Sequence, residues 1–145
     1  MIQFSGFDIL LERIVSSGTL ARAISEVFSL SVDRIGVIGI DDLPPDSSKS
    51  DIACVCSILS GDFPFLVSIS TVTRDVAAMA EIELAQRLAV VLDVSLLLEF
   101  PGNDPYLMWY VTPTKPPEKV GIDPDLHERD AYRIQHSISD EENDI

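Results

Sequence analysis

Residues 51–72, DIACVCSILSGDFPFLVSISTV, hold two runs rich in β-branched and aromatic residues on either side of Gly61-Asp62. A Gly-Asp pair between two such runs is a typical β-hairpin signal. In the second run apolar side chains alternate with more polar ones, which predicts a sheet with one packed face and one wetter face. The apolar set is Phe63, Phe65, Val67 and Ile69, and the wetter set is Leu66, Ser68 and Ser70.

A second stretch, FPGNDPYLMWYV at residues 100–111, predicts a turn followed by a strand with two apolar faces. Strand alternation puts Tyr106, Met108 and Tyr110 on one face, and Leu107, Trp109 and Val111 on the other. We expect Trp109 to belong to the core. Because the chain's own helices can cover only one face, we expect another chain to cover the other face, with Tyr106, Met108 and Tyr110 as partner-binding residues.

Helical periodicity appears in three stretches. The stripes Phe7, Leu10, Leu11, Ile14 and Leu20, Ala23, Ile24, Val27, Phe28 predict either one helix kinked at Gly18 or a short pair of helices, with Thr19 as the cap of the second. A long helix is expected over residues 74–92, after Thr73. Asp123-Pro124 predicts the start of a last helix that runs to residue 135.

Together with short strands expected at 35–40, 94–99 and 120–123, these elements predict one α+β domain over residues 1–136. Its order is helix, three strands, helix, two or three strands and a C-terminal helix or tail, with residues 137–145 expected as an acidic, disordered tail. Because hairpins dominate the connections, we expect a mainly antiparallel sheet of about five or six strands, with the two main helices packed on one face.

The composition restricts the partners. The chain has 145 residues, 24 acidic against 10 basic, a net charge of -14 and 46% hydrophobic residues. Such a charge repels nucleic acid and anionic membranes and attracts basic proteins. The alternative interpretation is that the charge serves only solubility. Because the N-terminus does not resemble a signal peptide and the longest apolar stretch is interrupted by Asp93, we expect a cytoplasmic protein. Cys54 and Cys56 are expected to be buried and reduced.

The sequence contains no pattern typical of a catalytic site. HERDAYRIQH at residues 127–136 lacks the second His that a zinc helix requires four residues after the first, and no nucleophile elbow, P-loop or dinucleotide motif occurs. Glu81 is the one unusual group, since helical spacing puts it beside Ala85, Leu88 and Leu92 on the core stripe. A buried general acid or base and a snorkelling or paired structural glutamate are both open, and we favour the second. We therefore expect no enzyme, no cofactor and no metal.

The segment DDLPPDSSKSD at residues 41–51 is a loop by composition and carries Asp41, Asp42, Asp46 and Asp51. A solvated linker is one interpretation. The other is an acidic rim next to the aromatic strand that steers a basic protein onto it. We expect these aspartates to be partner-binding residues.

The stretch LAQRLAVVLDVSLLLEFPGNDPYLMWYVTPTKPPEKVGIDPDLHERDAYRI resembles the C-terminal half of small immunity proteins from bacterial polymorphic toxin systems. The shared pattern is a helix, a strand, an aromatic strand that carries Trp, a Pro- or Gly-containing turn, another strand and an acidic D-x-D segment. This resemblance implies an α+β protein that blocks the active site of a basic toxin domain with an acidic, aromatic surface.

The predicted element order and low pI are also similar to class I type III secretion chaperones. That resemblance implies a homodimer that wraps a segment of an effector, with YLMWYV at residues 106–111 as its binding strand. The proline-rich residues 113–117 and the short acidic tail depart from the closing helix of those chaperones.

Overall fold

The predicted hairpin is part of a wider sheet. The computed structural model describes residues 6–38, 51–71, 81–100, 104–127 and 131–137. Within them the helices are α1 (Ser17–Phe28), α2 (Glu81–Leu92) and the short α3 (Pro124–His127), with a 3-10 turn at Val32–Arg34. The strands are β1 (Phe7–Leu11), β2 (Ile35–Ile38), β3 (Ile52–Ile58), β4 (Ser60–Gly61), β5 (Phe65–Thr71), β6 (Leu96–Glu99), β7 (Leu107–Val111), β8 (Glu118–Ile122), β9 (Ala131–Tyr132) and β10 (Ile134–Ser137).

Eight of these strands form one sheet in the order β10-β8-β7-β6-β1-β5-β3-β2. β2 and β3 pair in parallel, while the other neighbours in this described sheet pair antiparallel. β4 and β9 form a separate small parallel pair. The predicted class, α+β with a mainly antiparallel sheet, is confirmed, and the sheet has more strands than the five or six expected.

Both main helices pack on one face of the sheet. The predicted stripe of α1 is buried along its whole length, and α2 buries a matching one that includes Leu84 and Leu88. With Ile9, Val67 and Leu96 of the sheet they belong to one core, called here the main cluster. Because a helix of 12 residues is marginal in isolation, this burial stabilises α1, at roughly 2 kcal/mol for each large side chain fully removed from water.

The start of α1 differs from the prediction. Ser16 is the N-cap, and its Oγ accepts a hydrogen bond of 3.2 Å from the Thr19 amide. Gly18 lies inside the first turn and neither breaks nor bends a helix. The predicted cap at Thr19 is therefore three residues too late.

The helix predicted from Phe7 to Ile14 is wrong, since residues 7–11 form β1 in the interior of the sheet. β1 pairs with β5 on one side and with β6 on the other. Ile9 and Leu11 contact the main cluster, whereas Leu10 lies on the opposite face. A strand buried on both faces has a continuous apolar run, and such a run cannot be distinguished from a helix by periodicity alone.

The C-terminal helix predicted over residues 123–135 is also wrong beyond its first turn. The Asp123 carboxylate accepts hydrogen bonds from the amides of Asp125 and Leu126, as expected of a helix start. α3 nevertheless ends at His127, and β10 then pairs with β8. The hydrogen bonds that β10 forms at the edge of β8 outweigh the weak helical preference of residues 134–137. Residues 138–145 of the predicted tail and 74–80 of the predicted long helix lie outside the described residues.

The sheet face opposite the two helices carries a smaller core, called here the second cluster. Its buried members are Leu10, Phe63, Leu97, Met108, Val120 and Ile122. Phe63 was expected on the packed face of this strand, together with Phe65. It lies instead in the connection before β5 begins, where strand alternation does not apply. Together with Leu59 and Tyr132 it shows that this chain covers part of the face that we expected another chain to cover.

Candidate functional site

Asp51, one of the four predicted partner-binding aspartates, is a structural residue. Its side chain is 7% exposed and forms an ion pair with Arg34, and its amide donates a hydrogen bond of 2.8 Å to the Arg34 carbonyl. This pair ties the end of the 3-10 turn to the start of β3. Asp41, Asp42 and Asp46 lie outside the described residues.

The aromatic strand has the alternation that was expected. Tyr106, Met108 and Tyr110 contact the second cluster, and Trp109 packs against the main cluster. Met108 is buried and offers no exposed surface, whereas Tyr106 and Tyr110 are partly exposed. The Tyr110 ring meets Phe63 edge to face at 6.1 Å between centroids. The prediction of a binding surface on this face therefore rests on the two tyrosines.

Glu81 is exposed, so its predicted place on the buried stripe of α2 is wrong. It precedes Leu84 and Ala85, the first buried residues described in α2, by one turn. At that level the space between helix and sheet opens to solvent, which leaves the glutamate at the rim. Partial burial, and then the nearby Glu99 carboxylate, raise the pKa of Glu81 above its ordinary value.

The surface around Glu81 forms a depression of about 410 Å³, called here the carboxylate–aromatic site. It is lined by Glu81, Ile82, Leu98, Glu99, Phe100 and Trp109. The Phe100 and Trp109 rings are 4.9 Å apart at an angle of 47°. The Lys119 ammonium lies over Phe100, 4.8 Å from the ring centre. Two aromatic residues and two glutamates thus border one depression.

Strand register explains this arrangement. Leu98 on β6 pairs with Trp109 on β7, and Trp109 pairs with Lys119 on β8. The three side chains therefore stand in one row across the sheet, on the helix-facing side. Phe100 follows β6 directly and packs over the end of this row.

Glu99 connects the carboxylate–aromatic site with two neighbouring depressions. One of about 400 Å³ includes Asp8, Glu81 and Glu99, and one of about 280 Å³ includes Asp8, Glu99 and Tyr132. The pairing of β1 with β6 begins at Ile9 and Leu98, and the next residues along the two strands, Asp8 and Glu99, border the same two depressions.

The described residues that line the carboxylate–aromatic site supply carboxylates and aromatic rings, without a nucleophile or an imidazole. Carboxylates near aromatic rings can bind a cationic group. The sequence held a signal that we missed: Asp8 and Glu99 are each the one charged residue of an otherwise apolar strand.

The two cysteines belong to the main cluster. Cys54 and Cys56 share the helix-facing side of β3, and both are buried, as predicted. Burial, and then the neighbouring Cys56, raise the pKa of the Cys54 thiol to about 12, so Cys54 remains protonated at neutral pH. The described residues include no group of three or more His, Cys, Asp or Glu side chains that could hold a metal ion. None of the described helices has the length and apolarity needed to cross a membrane.

Comparison with known proteins gives no match to a family model, to a curated protein or to a solved structure.

Proposed function

We propose that this chain is a non-enzymatic, protein-binding inhibitor of the immunity kind, which acts in the cytoplasm and neutralises a basic toxin domain by covering its active site. The observation that carries the proposal is the carboxylate–aromatic site, a depression bordered by Phe100 and Trp109 and by Glu81 and Glu99. Aromatic side chains supply much of the energy of protein interfaces, and carboxylates select a basic partner.

The charge of the whole chain supports the same partner. A net charge of -14 on 145 residues speeds encounter with a basic protein and slows encounter with nucleic acid. Tyr106 and Tyr110 are partly exposed on the opposite sheet face and extend the aromatic surface available to a partner. Asp41, Asp42 and Asp46 act in this proposal as charges that steer the basic partner. Asp51 does not, because it pairs with Arg34.

The test is capture of the partner by the immobilised protein from the native cytoplasm, identification by mass spectrometry, and an assay of the partner when free and when bound. We expect a basic enzyme that loses its activity on binding. A Glu81→Lys/Glu99→Lys variant should capture much less of it. Glu26→Lys is the matched control, since Glu26 is an exposed glutamate on α1, outside the carboxylate–aromatic site.

A partner that keeps its activity in the complex contradicts inhibition and favours the secretion chaperone. The mass in solution adds to that decision, because the chaperone resemblance implies a homodimer. Equal capture by the Glu81→Lys/Glu99→Lys variant and the wild-type protein would remove the carboxylate–aromatic site from the proposal.

A further inference from the structure

A groove of about 510 Å³ lies between α1 and α2, on the side of the helices that faces away from the sheet. Its lining residues are Glu26, Val27, Glu83, Gln86, Arg87, Val90 and Val91. None of them lines the carboxylate–aromatic site, so the groove is a second, separate surface. We infer that two copies of this chain associate through the groove, in a reversible two-fold dimer with Val90 of each copy beside the axis.

Val90 is an exposed apolar side chain on the outer face of α2. It is 59% exposed, more than any other large hydrophobic side chain of the described residues, and the neighbouring Val91 is 37% exposed. Both lie outside the buried stripe of α2, at helix positions that are ordinarily polar. Valine is also a poorer helix former than lysine, glutamine or glutamate. In a single copy Val90 therefore stabilises neither the core nor the helix, whereas in the dimer it is buried.

The charges of the groove favour a second copy over a basic partner. Two acidic groups and one basic group, Glu26, Glu83 and Arg87, leave a net charge of -1 among its lining residues. Arg87 Nη2 lies 3.0 Å from Glu83 Oε1, so one of the carboxylates is balanced within α2. In a chain of net charge -14, such a surface attracts a basic protein little. It also spares two acidic copies the repulsion that contact through an acidic face would produce.

A two-fold dimer uses the same surface on both copies, so that surface must be complementary to itself. The groove meets this condition in shape, because Val90 projects from α2 while Val27, only 4% exposed, forms part of the floor. It also meets the condition in charge. The side chains of Arg87 and Glu83 are 54% and 51% exposed, so each copy presents both signs of charge to the other.

The size of the helix layer determines how strong the dimer is. Each of α1 and α2 has 12 residues. The outer halves of two cylinders about 18 Å long and about 11 Å across have roughly 600 Å² together. Standard interfaces bury about 800 Å² on each partner, and weak, transient interfaces bury less. We therefore expect the dimer to dissociate on dilution, whereas an obligate chaperone dimer persists at low concentration.

The test is sedimentation equilibrium of the full chain over a concentration series at low and at high salt. We expect a monomer–dimer equilibrium that shifts toward the dimer as salt rises, because salt screens the repulsion between two acidic copies and does not weaken the apolar contact. Val90→Glu should lower the association constant by about tenfold or more, since the two-fold axis sets the new carboxylates beside each other.

Val55→Glu is the matched control, since it adds the same charge at another exposed valine. Val55 is 45% exposed on β3 and lies on the sheet face away from the helices, because its neighbours Cys54 and Cys56 face the main cluster. This variant should dimerise nearly as well as the wild type.

A cysteine at the axis gives a second readout. Cys54 and Cys56 are buried, so an added surface thiol is the one that reacts. With oxidised glutathione as the oxidant, Val90→Cys should form a disulfide between two copies much faster than Val55→Cys at equal concentration.

A chain that stays monomeric up to about 1 mM would overturn the inference. So would a dimer that weakens as salt rises, or one that does not dissociate on dilution. Equal association constants for Val90→Glu and the wild type, with both folded by circular dichroism, would place the interface elsewhere. Equal rates of disulfide formation for Val90→Cys and Val55→Cys would remove Val90 from the axis.

Discussion

Arg34 and Asp51 form an ion pair with one buried and one exposed end. The Arg34 side chain is 43% exposed and that of Asp51 is 7% exposed. Removal of the arginine alone therefore leaves a carboxylate that is buried without its counter-charge, whereas removal of both groups leaves no charge behind.

We therefore expect Arg34→Ala to lower the free energy of unfolding by about 2 kcal/mol, below the value for fully buried pairs because the arginine reaches solvent. The double variant Arg34→Ala/Asp51→Asn should recover part of this loss. Urea denaturation of the wild type, both single variants and the double variant measures the coupling. Strictly additive losses would show that the pair contributes no interaction energy.

The structural role of Asp51 could not be predicted from its local sequence. DDLPPDSSKSD predicts an acidic loop, and its composition alone gives every aspartate the same role. Asp51 differs because it immediately precedes β3, where the parallel pairing of β2 and β3 brings Arg34 beside it. That contact depends on tertiary pairing, which is invisible in the local pattern.

Gly18 and Gly61 differ in whether their positions tolerate a side chain. Gly18 lies in the first turn of α1, and a methyl group added there meets no atom within 4 Å. Gly61 in β4 has φ +92°, and an added Cβ would lie 2.7 Å from the Tyr132 amide nitrogen of β9. The first position tolerates a side chain, and the second requires glycine for both its conformation and its close contact.

We expect Gly18→Ala to raise the free energy of unfolding by about 0.5 kcal/mol, since alanine restricts the unfolded chain and favours helix. Gly61→Ala should lower it by about 2 kcal/mol through strain and loss of the β4–β9 pairing. Thermal denaturation of both variants, side by side, is the measurement. A stable Gly61→Ala protein would contradict the described approach of β4 to β9.

How far the sequence predicts each element depends on how local its determinants are. The stripe of α1 and the β3–β5 hairpin were predictable, because their periodicity and turn residues lie within a few positions of each other. β1 and β10 were not predictable, because their strand state depends on distant partners: β5 and β6 for β1, and β8 for β10. Glu81 was misplaced because helical angle alone does not say where the core ends.

For the whole molecule, the class could be predicted from the alternation of helices and hairpins, but the strand order could not. The placement of β1 between β5 and β6 brings Asp8 and Glu99 to the same depressions, and so creates an acidic region that no linear motif contains. Phe100 and Trp109 could be recognised in the sequence as aromatic residues. That they border one depression together with Glu81 depends on where α2 meets the end of the sheet.

The charge of the whole molecule predicts how association depends on salt. The rate of association with a basic partner should fall by about tenfold or more as ionic strength rises from about 0.01 to about 0.15 M, since the Debye length shrinks from roughly 30 to 8 Å. The dissociation rate should change less. Stopped-flow mixing at several salt concentrations measures both, and an association rate indifferent to salt would refute acidic steering.

Titration of the captured partner's activity with this protein tests the proposed inhibition. We expect activity to fall to near zero at one equivalent of wild-type protein or Glu26→Lys, and Glu81→Lys/Glu99→Lys to require a large excess. Full partner activity at saturating wild-type protein would contradict inhibition. Equal inhibition by the wild type and the Glu81→Lys/Glu99→Lys variant would contradict the assignment of inhibition to the carboxylate–aromatic site.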